Sequence, residues 1–399
     1  MSLYEADCSP QVETKILGLN LTEQCNLNCS YCYQGARRDN RRNQMSFETA
    51  TSAIDDHLSR DDEFKDVLIE LIGGEVFLYW PLVRDVITWT LDRHSSWKKH
   101  FSFFIDTNGT LLNDEIKAWL FERRHHVVVG LSLDGTPEAH DLNRSDSYAL
   151  IEPHIPFFAR TWPHQTVKMT LHPSTLPMLF RNITHVMSLG LPVSANVPLE
   201  DIWGPLAEKA GHVKIFKQEI EKLVDFFSSN SQIPLPSIID LPIAAVTSEE
   251  DHDRPWCGSG RNMVAIETNG RILPCNRYAA MSFDQTLFDH PPIPKAVPCD
   301  GCFFKAACQT CEAHNWEVNG HPDARTSFHC EFIKVQIWGT AQVQAVRLEK
   351  RVREIKSMPE EERLAHQDEL ALIRRQLVSV AAVLEHLENE AIVPGAAAF

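Results

Sequence analysis

Between residues 15 and about 200, short apolar runs alternate with stretches of helical periodicity. Most of the apolar runs are continuous in Val, Ile, Leu and Phe, which is typical of strands covered on both faces. Two intervening segments begin with a side chain suited to cap a helix, Ser46 and Asn113. The pattern predicts strands at residues 15–21, 66–72, 101–106, 126–133, 166–171 and 192–197, and helices that include residues 46–59, 81–93 and 113–123.

These strand–helix repeats predict an α/β fold with a parallel sheet, either an open doubly wound sheet or a partial (β/α)6 TIM barrel. In both architectures the chemistry lies at the carboxyl ends of the strands. The loops expected at that end are residues 24–35, 73–75, 107–109 and 132–135.

The second half of the chain has a different character. Residues 228–256 are rich in Pro, Ser and Asp, which predicts a linker between a first domain at 1–227 and a Cys-rich domain at 257–338. Residues 339–399 carry apolar positions at spacings of three and four, with a break at 357–360, and predict a helical hairpin. We expect this hairpin to cover the Cys-rich domain, with a partner or dimer seam as the alternative.

The charge balance excludes several function classes. The chain has 54 Asp and Glu against 38 Lys and Arg, a net charge of −16, which disfavours binding to a nucleic-acid backbone. No apolar run in the sequence approaches the roughly 18 residues of a membrane span, and the first residues do not resemble a signal peptide. The sequence therefore predicts a cytoplasmic protein without a nucleic-acid or membrane partner.

Eleven cysteines are many for a chain kept in a reducing compartment, where clustered cysteines usually bind metal or carry out redox chemistry. One group follows the first predicted strand, at Cys25, Cys29 and Cys32, and a second group follows residue 250. We expect Cys8, upstream of both groups, to be an unligated thiol. The distribution predicts two separate metal-binding regions.

The first group offers three thiolates. Structural zinc sites are closed by four protein ligands, and a [4Fe–4S] cluster normally takes four cysteines. Three thiolates therefore leave one iron of such a cluster open to an exogenous ligand. A zinc loop completed by a distant residue is the alternative.

The sequence CNLNCSYC at residues 25–32 resembles the CxxxCxΦC motif of the radical SAM superfamily, with Tyr31 as the aromatic residue. Gly73-Gly74-Glu75 is similar to the family's GGE element, although Val76 stands where the family usually has Pro. Residues 107–110 and 132–135 resemble later loops of the peptide-modifying members.

The resemblance implies that Cys25, Cys29 and Cys32 hold a [4Fe–4S] cluster whose open iron binds S-adenosylmethionine. Gly73 and Gly74 would then lie beside the methionine part of S-adenosylmethionine, and Glu75 would contact its ammonium group. Ser132 or Arg144 would bind its carboxylate, and Tyr31 would lie near its adenine. Asn108 is a further candidate for a contact with it.

The second group, taken alone, suits zinc and iron–sulfur centres alike. Following such a domain it resembles the SPASM domain, except that two residues instead of three separate Cys308 from Cys311. The resemblance implies two auxiliary [4Fe–4S] clusters, and so three in total. The outer cluster would be held by Cys299, Cys302, Cys308 and Cys330, and the inner one by Cys257, Cys275 and Cys311 with a non-Cys or open fourth position.

The resemblance also implies the chemistry. Reductive cleavage of S-adenosylmethionine yields a radical that abstracts a hydrogen atom from a peptide or protein side chain, and auxiliary clusters beside the site favour net oxidation. We therefore expect a maturase of ribosomal peptides that forms thioether or carbon–carbon bonds and receives electrons from a flavodoxin- or ferredoxin-type protein. Few residues precede the first strand, so we expect leader recognition by a separate protein or by the helical tail.

Two other functions remain open. The first is formylglycine formation as in anaerobic sulfatase maturases, which Asn276 disfavours because those enzymes carry an Asp base there. The second is a non-catalytic zinc or electron-transfer protein. No general base stands out, and the candidates are Asp106, Asp134 and Tyr278.

Overall fold

In the computed structural model, residues 14–34, 43–248, 257–280, 299, 301–325 and 328–390 are described. Cys8 lies outside them. Within them, the strands are β1 Thr14–Thr22, β2 Asp66–Gly73, β3 His100–Thr107, β4 Val127–Leu131, β5 Val167–Thr170, β6 Val193–Asn196, β7 Met263–Ile266 and β8 Ile272–Leu273.

The α-helices of these residues lie mostly between the strands, as the periodicity predicts. They are α1 Phe47–Ser59, α2 Trp80–Asp92, α3 Asp114–Glu122, α4 Pro137–Asn143, α5 Tyr148–Ile151, α6 Ile155–Thr161, α7 Leu179–Ser188, α8 Leu206–Ser229, α9 Glu312–Asn319, α10 His329–Ser357, α11 Glu360–Ala365 and α12 Gln367–Asn389. Both predicted N-caps form: Ser46 Oγ accepts from Thr49 N at 3.0 Å, and Asn113 Oδ1 accepts from Ile116 N at 2.9 Å.

The strands form the parallel array that the continuous apolar runs predict. One sheet has the order β4-β3-β2-β1-β7-β8, and β5 and β6 form a parallel pair. A single bridge between Ser132 and Lys168 joins the end of β4 to β5. Leu17, Ile69, Phe103 and Val127 lie in one register across four strands and are completely buried, so this row forms the centre of the core. The α/β prediction is confirmed.

The strand β7 was not predicted, and it comes from the Cys-rich region. It pairs in parallel with residues 16–19 of β1, so the backbone groups on that edge of β1 are satisfied by a segment far away in the sequence. Strands from both sides of residue 257 therefore share one sheet.

The described part of the predicted linker, residues 228–248, is largely packed. The helix α8 ends within it, and residues 237–247 form two short 3₁₀ helices whose Ile238 and Ile243 are buried. The guanidinium of Arg347 on α10 donates to the carbonyls of Phe227 at 3.0 Å and Ile233 at 2.8 Å, which ties this segment to the C-terminal helices.

The C-terminal hairpin forms from α10 and α12, with the chain turning at Met358 and Pro359. Arg351 and Glu369 join the two helices through a bidentate contact of 2.7 and 3.0 Å. The helix α10 begins before residue 339 and places Phe332 in the main core, so the hairpin is continuous with the body of the protein. No helix in the described residues is long and apolar enough to cross a membrane.

Candidate active site

The first cysteine loop leaves the carboxyl end of β1. Cys25, Cys29 and Cys32 are partly buried, and Cys32 N donates to Cys29 O at 3.1 Å, which turns the loop back on itself. Burial raises the pKa of the Cys29 thiol, the nearby Arg144 guanidinium opposes that shift, and the thiols of Cys25 and Cys32 are close enough to contribute. The loop thus brings the three predicted ligands together.

Gly73 and Gly74 allow the end of β2 to lie directly against this loop. Gly74 N donates to Thr22 O at 2.9 Å, and Glu75 N donates to Gln24 O at 2.8 Å. A Cβ on Gly73 would lie 2.3 Å from Thr22 O, and one on Gly74 would lie 2.1 Å from Gln24 O. The glycines are therefore required by the chain's own backbone, and the predicted approach to the methionine part of a cofactor stays a prediction.

We expect Gly74→Ala to lower the free energy of unfolding by about 3 kcal/mol or more, because the new methyl group collides with backbone that has no free space. The same substitution should reduce the iron bound by the first cysteine loop. Unfolding in urea followed by circular dichroism, with iron analysis, measures both effects.

Gly211→Ala is the matched control. Gly211 lies within α8 and nothing approaches its Cβ position within 4 Å. Alanine there should stabilise the helix by about 1 kcal/mol. Equal stability of the two variants would contradict the close-approach argument.

Glu75 is buried and accepts three hydrogen bonds. Thr107 Oγ1 donates at 2.8 Å, Asn108 N at 2.7 Å and Phe77 N at 3.1 Å. Burial raises the pKa of this carboxyl group, and the three donors oppose the rise. A carboxylate has about four acceptor positions, so Glu75 retains capacity for one further donor such as an ammonium group.

Asn108 supports the cysteine loop. Its amide donates to Asn26 Oδ1 at 2.9 Å, Asn26 donates to Thr110 Oγ1 at 2.8 Å, and Thr110 donates back to Asn108 Oδ1 at 2.7 Å. This closed ring commits the side chain of Asn108 to the loop.

Asp134 is the most connected carboxylate of the site and is completely buried. Its Oδ2 accepts from Tyr31 OH at 2.6 Å and Asn143 Nδ2 at 3.1 Å and lies 3.1 Å from Arg144 Nε, while Thr170 N donates to Oδ1 at 3.1 Å. The pKa of Arg144 is raised: burial opposes the rise, and Asp134 is the largest favourable cause. Because its acceptor positions are occupied, Asp134 does not suit the predicted role of a base.

The end of α4 and the residues that follow it hold the cysteine loop from the other side. Ser30 N donates to Asn143 O at 2.9 Å, and Asn28 N donates to Ser145 Oγ at 3.0 Å. Ser145 and Asp146 have φ of 57° and 52°, a left-handed conformation that non-glycine residues adopt only where the surroundings enforce it. The sequence pattern did not reveal this clamp.

Asp106 on β3 and Ser132, the residue after β4, lie near Lys168. Lys168 forms an ion pair with Asp106, and its ammonium lies 5.6 Å from the centre of the Phe104 ring. Ser132 N donates to Thr107 O at 3.0 Å, which fixes the end of β4. Lys168 pairs with one oxygen of Asp106, a predicted base candidate, whose Oδ1 is buried without a hydrogen-bond partner among the described residues.

In the Cys-rich region, four thiols surround one cavity. They belong to Cys299, Cys302, Cys308 and Cys330, the set predicted for the outer cluster. Arg325 fixes the loop around them by donating to Cys308 O at 3.1 Å and Lys305 O at 3.0 Å. Four converging thiols fit a [4Fe–4S] centre.

The three thiols predicted for the inner centre also lie near one another. Cys275 and Cys311 pack in one small apolar cluster with Tyr278 and Trp316. Burial raises the pKa of the Cys275 thiol to about 11, and Cys311 contributes to this rise and to that of Cys257. Tyr278 is completely buried in this cluster, which removes it from contact with a substrate.

A site for a single metal ion, in contrast to a cluster, is not found among the described residues. No group of three or more His, Cys, Asp or Glu side chains within the described ranges is arranged to hold a metal ion.

A cavity of about 500 Å³ separates the two cysteine regions. Tyr31 and Cys32 border it on the side of the first loop, and Cys311 borders it on the side of the Cys-rich region. Thr170 and Asn196, at the ends of β5 and β6, also line it. The cavity therefore lies where the parallel sheet places its chemistry, between two groups of thiols.

The sequence model of the radical SAM superfamily matches residues 19–153, which contain the three-cysteine loop and Asp134. Residues 19–153 form a radical SAM domain. Such a domain implies S-adenosylmethionine and a [4Fe–4S] cluster as cofactors. The three thiols and the remaining acceptor capacity of Glu75 fit that pair.

Two curated relatives match about a third of this chain. A serine-type anaerobic sulfatase-maturating enzyme of Bacteroides thetaiotaomicron is 33% identical over 127 residues, covering 31% of this chain and 30% of that enzyme. An uncharacterized protein of Methanocaldococcus jannaschii is 37% identical over 131 residues, covering 33% of this chain and 42% of that protein. The matched segments thus span less than half of these relatives.

Solved structures extend the likeness to most of the chain. The structure of anSMEcpe with bound AdoMet and Cp18Cys peptide superposes with a TM-score of 0.64 at 16% identity, covering 84% of this chain and 99% of that one. SuiB of Streptococcus suis bound to precursor peptide SuiA gives 0.56 at 14%, covering 79% and 75%. At these identities the likeness shows the fold.

Proposed function

We propose that this chain is a radical SAM enzyme that oxidatively modifies a side chain of a peptide or protein, as a maturase that joins two side chains by a thioether or carbon–carbon bond. The observation that carries the proposal is the cavity bordered by Cys32 on one side and Cys311 on the other. Both structural neighbours named above were solved with a peptide, which supports a peptide substrate.

The residues that would hold the cofactors follow from the site. Cys25, Cys29 and Cys32 would hold the first cluster, and the four-thiol and three-thiol groups of the Cys-rich region would hold two auxiliary clusters. Once bound, the first cluster and S-adenosylmethionine supply one-electron cleavage of a carbon–sulfur bond and, with it, abstraction of a hydrogen atom.

The chain's own residues bind and orient the cofactor. Glu75, fixed by three donors, presents its remaining acceptor position to an ammonium group. Tyr31, held by Asp134, forms one wall of the cavity, and its fixed ring restricts where an adenine or substrate can lie.

The Cys-rich side of the cavity favours oxidation. Joining two side chains removes two hydrogen atoms from the peptide: the abstracted hydrogen atom carries one electron with it, and the second leaves as a proton and one electron, so the reaction needs an acceptor for that one electron. An auxiliary cluster held by the thiols of the Cys-rich region beside the substrate would be that acceptor. A flavodoxin- or ferredoxin-type protein would deliver the electron that starts each turnover.

Formylglycine formation is the second candidate, because a curated relative is a sulfatase-maturating enzyme. Asn276 lines the cavity at the position where the sequence comparison expects an Asp base. A carboxamide does not accept a proton as a carboxylate does, so this residue disfavours the second candidate.

The deciding assay is anaerobic incubation of the reconstituted full chain with dithionite, S-adenosylmethionine and peptides encoded beside its gene. We expect methionine and 5′-deoxyadenosine, together with a peptide that has lost two hydrogen atoms and does not react with a hydrazide. A hydrazide-reactive aldehyde would instead establish formylglycine formation. Absence of methionine and 5′-deoxyadenosine would overturn both candidates.

A further inference from the structure

The thiols predicted for the inner cluster lie against the first turn of α9. Cys311 is the N-cap residue of this helix. Burial raises the pKa of the Cys311 thiol, and a hydrogen bond from the backbone N–H of His314 is the largest cause that opposes the rise. Burial also raises the pKa of the Cys257 thiol, and the backbone N–H of Glu312 is among the groups that oppose it. Two of the three thiols therefore face the start of one helix.

His314, in this first turn, carries a buried imidazole without a partner. The residue is 5% exposed, and neither Nδ1 nor Nε2 has a hydrogen-bond partner among the described residues. A buried polar group left in this state is costly, and native proteins keep few of them. The imidazole therefore indicates a ligand that the protein side chains do not supply.

The position of His314 on the helix puts its ring within reach of the inner thiols. His314 follows the N-cap residue Cys311 by three positions, and side chains with this spacing are neighbours that can reach back to the N-cap, as in a capping box. After burial, which is the main cause of both pKa shifts, Arg277 lowers and Glu200 raises the pKa of the imidazole and of the Cys311 thiol alike. The two groups therefore share the same charged neighbours.

Two other side chains that could bind iron near these thiols already have partners. Glu312 forms an ion pair with Arg261 at 2.5 Å. His329 lines the cavity of the four outer thiols, and its Nε2 donates to Pro198 O at 2.8 Å. Of these three side chains, only that of His314 has both of its polar atoms unoccupied.

We propose that His314 is the fourth protein ligand of the inner cluster, which it would hold together with Cys257, Cys275 and Cys311. One nitrogen of the neutral ring gives its lone pair to the iron that no thiolate binds, and no electron is transferred in this step. The ligands of a four-iron cluster bind different iron atoms, so their donor atoms need not surround a single ion. The proposal rests on the proposed function and deepens it by giving the way in which the electron acceptor is held.

A histidine ligand would change the chemistry of the inner cluster in two ways. An imidazole is neutral where a thiolate is negative, and histidine ligands raise the reduction potential of iron–sulfur centres. A higher potential favours acceptance of the one electron that leaves the substrate. A fully ligated iron also has no open position for a thiol of the peptide, so the cluster would accept an electron without binding the substrate.

The test is pulsed electron paramagnetic resonance of the reduced full chain, reconstituted with about twelve iron atoms per molecule. S-adenosylmethionine is left out, so that its amino nitrogen contributes no signal at the first cluster. A second sample contains histidine labelled with ¹⁵N in its ring. We expect a ¹⁴N hyperfine coupling that becomes a ¹⁵N coupling in the labelled sample. Absence of any histidine coupling would overturn the proposal.

Substitution of His314 identifies the histidine that binds. His314→Ala should lose the coupling, and added imidazole should restore it, because the free ring can bind the same iron. His314→Cys should keep the cluster and shift its midpoint potential downwards, since a thiolate replaces a neutral ligand. A merely structural role of His314 would produce neither the rescue nor the shift.

Three control variants test the other possible ligands. His252→Ala removes the histidine that precedes Cys257 in the sequence, His329→Ala removes the one beside the outer thiols, and Tyr278→Phe removes the hydroxyl group packed with Cys275. All three should retain the coupling. If His314→Ala does not fold, the labelled wild-type chain and the two other histidine variants together still decide the assignment.

A coupling that survives in His314→Ala, or that is lost in His252→Ala or His329→Ala instead, would overturn the proposal. The spectroscopic measurement does not require turnover. Cleavage of S-adenosylmethionine by a chain without a histidine coupling therefore refutes this inference alone, whereas absence of cleavage refutes the proposed function.

Discussion

Replacing Cys29 by Ala is expected to lower the rate of S-adenosylmethionine cleavage by about a thousandfold or more. This is the range seen when an indispensable catalytic group is removed. The loop itself should persist, because Cys29 holds it through its backbone carbonyl, which accepts from Cys32 N at 3.1 Å. The loss would therefore reflect the missing thiolate. The loss is measured from the amounts of methionine and 5′-deoxyadenosine, which are quantified by chromatography after anaerobic reduction.

Iron analysis separates this variant from a misfolded one. The wild-type chain should bind about twelve iron atoms and Cys29→Ala about eight, because the two sites of the Cys-rich region are separate from the first loop. Cys8→Ala is the matched control, since we expect that thiol to be unligated, and it should keep both iron and activity. Retention of cleavage by Cys29→Ala would contradict the assignment of the first loop.

Much of the fold could be predicted because its signals are local. Continuous Val, Ile and Leu runs indicate buried strands, and Ser46 and Asn113 mark helix starts through contacts only three residues long. The strand β7 could not be predicted in this way. It has four residues, no periodic pattern and a partner in β1 almost 250 positions earlier in the chain.

The candidate site likewise contains residues that local sequence predicts and residues that it does not. Cysteine spacing predicts which thiols group together, because ligands of one centre must be close in space and often in sequence. The residues that position the loop come from separate elements: Asn143 ends α4, Ser145 follows it, and Thr170 ends β5. Each is an ordinary polar residue in sequence, so its contact with the loop or with Asp134 becomes visible only in the structure.

The same distinction applies to two predicted cofactor contacts, Arg144 at the carboxylate of S-adenosylmethionine and Asn108. In the structure Arg144 is paired with Asp134, and Asn108 is engaged with Asn26 and Thr110. A motif cannot reveal these partners because it records residue type and not hydrogen bonds, and the contacts of both residues with the cofactor stay predictions.

Asp134→Asn should produce the largest loss of stability of any substitution in the site. It leaves the buried Arg144 without its counter-charge, and breaking a buried pair in this way typically costs about 3–5 kcal/mol. Tyr31 would also lose its charged acceptor, so we expect weaker binding of S-adenosylmethionine. Urea unfolding followed by circular dichroism measures the first effect, and equilibrium dialysis with the labelled cofactor measures the second.

A double-mutant cycle shows whether the unpaired charge is the cause. Asp134→Asn combined with Arg144→Met removes both charges, and it should be more stable than Asp134→Asn alone by about 1 kcal/mol or more. Glu138→Gln is the control, because Glu138 pairs with Arg181 at 3.4 Å on the surface and should change stability by less than about 1 kcal/mol. If the double variant is no more stable than the single one, the carboxylate acts through its hydrogen bonds to Tyr31, Asn143 and Thr170 instead of through its charge.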